Sequence, residues 1–172
     1  MNKNVVLTGK PGCGKTTLIR EVCHCFPDKI GGFFTDEVRI GSQRDSFVLK
    51  TFDGQQGVFA KKGMASPVKL NKYGIDLNVL ESLGISALRR AIRDEKIIVI
   101  DEIGSMEMFS KPFRSVVADC LNSPCKVLAS IRYNSQPFTS EIKAMTDTTL
   151  LYLSRSNAAE IKKAIEQWLC IK

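Results

Sequence analysis

Short apolar runs alternate with helical patterns along most of the chain. The apolar runs predict strands over residues 5–7, 96–100, 126–131 and 149–153. Apolar positions three and four residues apart predict helices over residues 16–25, 110–121 and 139–145, and from residue 157 onward. Residues 97–100 are apolar throughout, which is typical of a strand buried on both faces of a parallel sheet. The alternation therefore predicts an α/β fold with a mostly parallel central sheet.

One segment departs from this alternation. Short strands are predicted over residues 32–38, 46–52 and 58–60. The Asp53-Gly54 pair between two of them is typical of a tight turn that joins antiparallel strands. We therefore expect a β-hairpin-rich insertion between about residues 31 and 70.

Two predicted helices begin at residues that favour helix starts. Asp76 can cap a helix over residues 77–92. Asn157, with Glu160 three residues later, fits a capping box at the start of the last helix. Both helices are therefore expected to begin with a side-chain cap.

Length and composition agree with a compact enzyme. The chain has 172 residues, of which 44% are hydrophobic and 25% charged, so we expect one domain over residues 1–172. No apolar run approaches the roughly 20 residues of a membrane span, and no signal peptide precedes the first predicted strand. We expect a cytoplasmic, monomeric protein.

The net charge of +7 raises the question of a nucleic-acid partner. The densest basic run, residues 88–93, lies on a helical pattern and is followed at once by Asp94 and Glu95. No aromatic residue interleaves with it to stack on bases. The pattern indicates a solvated helix face, and nucleic-acid binding is not favoured.

Six cysteines and a single histidine, His24, bear on metal binding. No pair of cysteines has C-x-x-C spacing, and Cys23 and Cys25 are two residues apart on a predicted helix, so they do not share a face. A zinc site is therefore disfavoured, and we expect reduced thiols. Cys13 is the thiol of most interest, because helix-terminal N–H groups near it would favour a thiolate.

Residues 9–16 spell G-x-x-x-x-G-K-T shortly after the first predicted strand. A strand, this loop and then a helix form the P-loop, or Walker A motif, whose N–H groups surround a phosphate. Lys15 would bridge β- and γ-phosphate oxygens, and the Thr16 hydroxyl would bind Mg²⁺. The chain is expected to bind a nucleoside triphosphate with Mg²⁺.

Two acidic residues, Asp101 and Glu102, follow the buried strand over 96–100. Ligands of open parallel sheets bind beyond the carboxyl ends of the strands, so we expect this pair beside the P-loop. Asp101 would hold Mg²⁺ as in a Walker B motif, and Glu102 would orient and deprotonate an attacking water. Glu107 is a rival base. The same residues match D-x-x-G through Gly104, whose N–H in signalling GTPases contacts the γ-phosphate, and both interpretations stay open.

Several function classes share a P-loop. No Asn-Lys pair of this chain, Asn71-Lys72 included, is followed by the aspartate of N-K-x-D, so guanine specificity is unsupported. A nucleotide or metabolite kinase needs a second pocket and a lid of arginines, and the insertion contains arginines. Glu102 favours hydrolysis, while a nucleoside-triphosphate-dependent switch protein is the non-enzymatic alternative.

Longer motifs resemble a known family. They are Gly32-Phe33-Phe34-Thr35-Asp36-Glu37-Val38-Arg39, Lys72-Tyr73-Gly74-Ile75-Asp76 and Asp101-Glu102-Ile103-Gly104-Ser105-Met106-Glu107-Met108-Phe109-Ser110. With the P-loop, they resemble the small nucleoside-triphosphatases first described from thermophiles, which include the human cancer-related nucleoside-triphosphatase. The resemblance spans nearly the whole chain. It implies a three-layer, RecA-like P-loop fold and Mg²⁺-dependent hydrolysis of ATP, GTP and other nucleoside triphosphates with low base selectivity.

The motifs and the resemblance together give a set of site residues. The expected catalytic residues are Lys15, Glu102 and Glu107. The expected nucleotide-binding residues are Gly9, Lys10, Pro11, Gly12, Cys13, Gly14, Lys15, Thr16, Thr17, Asp101, Glu102, Ile103, Gly104, Ser105 and Ser130. The expected Mg²⁺ ligands are Thr16 and Asp101.

A further cation on the γ-phosphate would assist phosphoryl transfer. The candidate arginines are Arg39, Arg44 and Arg132. Arg132 follows the predicted strand over 126–131, and Ser130 near its end is placed to hydrogen-bond the γ-phosphate or the attacking water. In the family this stretch usually reads T-[IV]-P, so the arginine is a departure, as is Ala158, where the family usually has arginine.

Overall fold

The computed structural model describes residues 1–134 and 136–171. The strands are β1 (Asn4–Thr8), β2 (Ile30–Ile40), β3 (Gln43–Thr51), β4 (Gln56–Lys62), β5 (Lys69–Leu70), β6 (Tyr73–Ile75), β7 (Ile97–Ile103), β8 (Val127–Ile131) and β9 (Thr148–Tyr152). The helices are α1 (Lys15–His24), α2 (Leu77–Val79), α3 (Ser86–Arg93), α4 (Lys111–Asn122), α5 (Pro137–Ala144) and α6 (Ala158–Cys170). A π-helical segment, Leu80–Ile85, joins α2 to α3, and 3₁₀ turns cover Pro27–Lys29 and Glu107–Phe109.

The nine strands form one sheet in the order β5-β6-β4-β3-β2-β7-β8-β1-β9. Strands β2, β7, β8, β1 and β9 pair in parallel, and the strands from β3 to β6 extend the sheet by antiparallel pairing. The predicted parallel core and hairpin-rich insertion are confirmed. The antiparallel part reaches Ile75, past the predicted limit near residue 70, because β6 is only three residues long and leaves little pattern in the sequence.

Two apolar layers cover the faces of the parallel strands. Side chains alternate along β7, so Ile98 and Ile100 face one layer, which contains Phe113 of α4. Val99 faces the other layer, which contains Ile19 of α1 and Ile165 of α6. The two layers and the sheet give the expected three-layer arrangement, and they explain why β7 is apolar on both faces.

One predicted helix cap is confirmed and the other is wrong. The Asp76 carboxylate accepts a hydrogen bond from the Asn78 N–H at 2.9 Å. Asn157 precedes α6 but makes no side-chain cap there. Its side chain turns back instead, accepting from the Ser154 N–H at 2.8 Å and donating to the Tyr152 carbonyl at 2.9 Å. The predicted capping box does not form because these two bonds of the preceding loop occupy the amide.

The strand order places β8 between β1 and β7. These three strands are parallel, so their carboxyl ends meet at one edge of the sheet. The chain leaves β1 into the glycine-rich loop, and β7 carries the acidic pair. The loop and the acids therefore share an edge with the end of β8 between them.

Within the described residues, none of the helices combines the length and the apolar character needed to cross a bilayer.

Candidate active site

The glycine-rich loop has the backbone geometry of an anion site. Gly12 and Gly14 have φ angles of +76° and +101°, a left-handed conformation that favours glycine. Gly14 is the N-cap of α1, which begins at Lys15, one residue before the predicted start, and the Gly14 carbonyl accepts from the Leu18 N–H at 2.9 Å. Lys10 and Gly12 are exposed. The N-terminus of α1 therefore opens onto the loop, where its free N–H groups can meet a phosphate.

Gly9 anchors this loop to the neighbouring strand. A methyl group on Gly9 would overlap the Leu153 carbonyl and lie 2.8 Å from the Cys13 sulfur. Leu153 is itself held by a 2.7 Å hydrogen bond from its N–H to the Thr8 carbonyl. The Lys15 ammonium donates to the Gly9 carbonyl at 3.3 Å, so it lies over the loop rather than away from it.

Asp101 is the most buried of the predicted site acids. It is 1% exposed, and its Oδ1 accepts a hydrogen bond from the Ser130 hydroxyl. Burial raises the pKa of Asp101 to about 6, although the nearby hydroxyls of Ser130 and Thr16 oppose the rise. Its Oδ2 has no hydrogen-bond partner among the described residues.

This unpartnered oxygen fits a bound cation. A buried carboxylate oxygen without a donor is costly unless a positive charge compensates it. The hydroxyl of Thr16, close enough to lower the pKa of Asp101, would add a second oxygen ligand. Oxygen ligands of this kind are those that Mg²⁺ prefers. The residues present therefore fit the predicted Mg²⁺ site.

Two further carboxyl groups meet around Gly104. Glu107 is 7% exposed, and its Oε2 accepts from the Gly104 N–H at 3.1 Å. Burial, followed by the negative charge of Glu102, raises the pKa of Glu107 to about 8. Glu102 is only partly buried. Near neutral pH Glu107 therefore keeps its proton. In the D-x-x-G interpretation the Gly104 N–H contacts the γ-phosphate, whereas in this structure it donates to Glu107.

Ser130 lies between the two motifs. It is fully buried near the end of β8, and its hydroxyl donates to Asp101. We expected this hydroxyl to reach the γ-phosphate or a water. The structure places it against Asp101, where it orients the carboxylate.

The three candidate arginines have different surroundings. Arg39 and Arg44 lie on the β2–β3 hairpin, and both pair with Glu37. Arg132 directly follows β8, and its N–H donates to the Ile103 carbonyl at 3.3 Å. Among the described residues, no carboxylate lies within ion-pair distance of the Arg132 guanidinium. Arg132 is thus the candidate at the edge that carries the P-loop and the acids.

The sequence did not single out a groove beside this edge. Its volume is about 760 Å³, and its lining includes Asp36, which pairs with Arg20 of α1 at 2.7 Å and with Lys50 of β3 at 2.8 Å. Asp36 is two residues beyond Phe34, which is the register partner of Asp101. The groove therefore opens one strand away from the acidic pair. No sequence signal links these segments, because only the fold brings them together.

Comparisons with known proteins identify the family of this chain. The family model described as NTPase matches residues 4–166. The nucleoside-triphosphatase THEP1 of Thermotoga maritima is 39% identical over 153 residues, which are 89% of this chain and 87% of that protein. The human cancer-related nucleoside-triphosphatase is 35% identical over 140 residues, 74% of each chain. The crystal structure of THEP1 from Aquifex aeolicus superposes with a TM-score of 0.90, at 34% identity, over 98% of this chain and 99% of that one.

These matches confirm the resemblance inferred from the motifs and the P-loop fold that it implied. The matched residues include the glycine-rich loop, the hairpin insertion and the acidic strand, so the likeness is not confined to the widespread P-loop. The chain belongs to the nucleoside-triphosphatase family.

Proposed function

We propose that this nucleoside-triphosphatase requires Mg²⁺ and releases phosphate from ATP, GTP and other nucleoside triphosphates with low base selectivity. The observation that carries the proposal is the buried Asp101, whose Oδ2 lacks a partner and which lies near Thr16 of the P-loop. A metal held there with the nucleotide would compensate an otherwise costly buried charge.

Each residue of the proposed site has a separate role. The N–H groups of the loop and Lys15 hold the β- and γ-phosphates, and Thr16 with Asp101 would hold Mg²⁺. Bound Mg²⁺ would neutralise phosphate charge as it moves in the transition state. Glu102 orients the attacking water and accepts its proton, because it is the partly exposed carboxylate of the site. Glu107 is the alternative base.

The hydrogen bonds within the loop between β9 and α6 support low base selectivity. The side chain of Asn157 is occupied by the backbone of Ser154 and Tyr152, so it is not directed at a ligand. The sequence also lacks N-K-x-D. We therefore expect the phosphates and the metal to supply most of the affinity.

We also propose that the enzyme is a monomer that works in the cytoplasm. The P-loop, Asp101 and Ser130 lie together at one edge of the sheet of a single chain, as a monomeric enzyme requires. Gel filtration of the purified protein, with and without nucleotide, tests the oligomeric state.

The groove lined by Arg20, Asp36 and Lys50 favours one alternative, transfer of the γ-phosphate to a small acceptor. It lies next to the acidic strand, where an acceptor would approach the phosphate. In that case the chain would act as a kinase with slow hydrolysis.

One experiment separates hydrolysis, transfer and a switch. Purified protein is incubated with each nucleoside triphosphate, with Mg²⁺ or EDTA, and with or without a pool of metabolites, while phosphate and products are followed. We expect multiple turnovers from ATP and GTP alike that need Mg²⁺ but no acceptor. Much faster transfer to a metabolite would establish the kinase, and turnover limited to about one event per protein would indicate the switch.

A further inference from the structure

We propose that Arg132 is a catalytic residue of this chain, whose guanidinium binds the γ-phosphate and stabilises its charge during hydrolysis. The proposal rests on the proposed nucleotide site. It means that the cation supplied by a partner in many P-loop proteins is built into this one.

Hydrogen bonds fix the main chain of Arg132 at the sheet edge that carries the P-loop and the acidic pair. Its N–H donates to Ile103 of the acidic strand at 3.3 Å, and its carbonyl accepts from the Thr8 hydroxyl, also at 3.3 Å. Thr8 is the last residue of β1 and precedes Gly9. The Lys143 ammonium of α5 also donates to the Arg132 carbonyl, at 2.9 Å. Arg132 is therefore held between the P-loop strand and the acidic strand.

The direction of the Arg132 side chain is inferred from the alternation of the residues that precede it in β8. Leu128 packs in the cluster that contains Ile19 of α1, and Ser130 on the same face bonds Asp101. Arg132 comes two residues later and continues the ladder with β7 through its N–H. Arg132 directly follows β8, so continued alternation would place its side chain on the face of Ser130 and α1.

Arg132 is a partly buried residue, and its guanidinium has no carboxylate partner among the described residues. Arg39 and Arg44, by contrast, both pair with the carboxylate of Glu37. The positive charge of Arg132 also acts on Lys143, whose pKa is lowered mainly by burial and further by this charge. A positive charge at the sheet edge that carries the P-loop and the acidic pair is stabilised by a bound anion. The γ-phosphate is the anion that the P-loop places there.

Removing the side chain should leave the fold intact. The described hydrogen bonds of Arg132 all involve its main chain, so Arg132→Ala keeps each of them. Arg132→Lys retains a charge but not the planar, bidentate donor geometry. Arg93→Ala is the matched control, because Arg93 is exposed and lies just before β7, at the opposite edge of the sheet.

The test measures kcat with Mg-ATP and the affinities for a non-hydrolysable ATP analogue and for ADP. For Arg132→Ala we expect kcat to fall on the order of 10²-fold and analogue affinity to weaken, with ADP affinity unchanged. The kcat of Arg132→Lys should lie between those of the wild type and Arg132→Ala, and the kcat and affinities of Arg93→Ala should match the wild type. The thermal midpoint should be unchanged in all three.

Three outcomes would overturn the proposal. These are wild-type kcat and affinity in Arg132→Ala, an equal loss of analogue and ADP affinity, or a loss of activity that follows a lowered thermal midpoint. Failure of the proposed function looks different, because the wild-type protein itself would then release no phosphate.

Discussion

At the scale of single residues, the site depends on carboxyl groups in unlike surroundings. Asp101 is buried with one oxygen bonded to Ser130 and the other without a partner. Glu107 is buried and bonded to the Gly104 N–H, whereas Glu102 is partly exposed. These differences suit Asp101 to a metal, Glu102 to a water and Glu107 to a protonated state.

The roles of Glu102 and Glu107 lead to the first prediction. Glu102→Gln keeps the shape of the side chain but removes its basicity, so kcat should fall by at least about 10²-fold while nucleotide affinity is retained. Glu107→Gln replaces a group that already carries a proton, so kcat should fall by less than about tenfold. Steady-state kinetics and a nucleotide-binding titration check both variants. A dead Glu107→Gln with an active Glu102→Gln would reverse the roles.

The raised pKa of Glu107 gives a second prediction, on stability in metal-free buffer. The folded-state pKa is about 8 against an ordinary 4.5, so between these values the folded protein holds a proton that the unfolded chain has lost. This group therefore lowers the free energy of unfolding as pH rises from about 5 to 8, by about 1 kcal/mol per pH unit. Glu107→Gln should become more stable relative to the wild type across that range.

Urea unfolding at pH 5, 6.5 and 8 measures this difference. Glu160→Gln, an exposed substitution on α6, is the matched control, and its free energy of unfolding should change with pH in parallel with the wild type. If the free energy of unfolding of Glu107→Gln also changed with pH in parallel with the wild type, the assigned protonation state of Glu107 would be contradicted.

At the scale of elements, local sequence signals identified the parts but not their contacts. The apolar run of β7 and the loop between β1 and α1 were predictable because period and turn residues are local properties. Asn157 was misassigned because its amide bonds the loop before α6, although its spacing to Glu160 fits a cap. The same limit applies to β6, which is defined by its pairing with β4 rather than by its pattern.

The contact between the P-loop and β9 gives a prediction at this scale. A methyl group in Gly9→Ala would overlap the Leu153 carbonyl, which cannot withdraw without breaking the Leu153–Thr8 hydrogen bond. We expect the free energy of unfolding to fall by about 1–3 kcal/mol and nucleotide affinity to weaken. Gly63→Ala is the comparison variant, because Gly63 has a left-handed backbone, with φ +72°, but faces open space, so its loss reports backbone strain without a clash. A smaller loss for Gly9→Ala than for Gly63→Ala would argue against this anchoring contact.

At the scale of the whole molecule, the sheet order assembles the site. The P-loop and the acidic pair were expected to meet because both follow parallel strands. The insertion of β8 between them, with Ser130 against Asp101, was not predictable, because strand order depends on long-range packing. The same holds for the groove, whose ion pairs join α1, β2 and β3. Motifs thus identified the candidate residues, and the fold was needed to show what these residues contact.

The central claim is that water attacks the γ-phosphate of a nucleotide held by this P-loop. Hydrolysis of Mg-ATP in ¹⁸O-labelled water, followed by mass spectrometry of the products, tests it most directly. Attack of water on the γ-phosphorus places one labelled oxygen in each phosphate and none in ADP, and we expect Lys15→Ala to be slower on the order of 10²-fold or more. Unlabelled phosphate, label in ADP, or wild-type turnover by Lys15→Ala would contradict it.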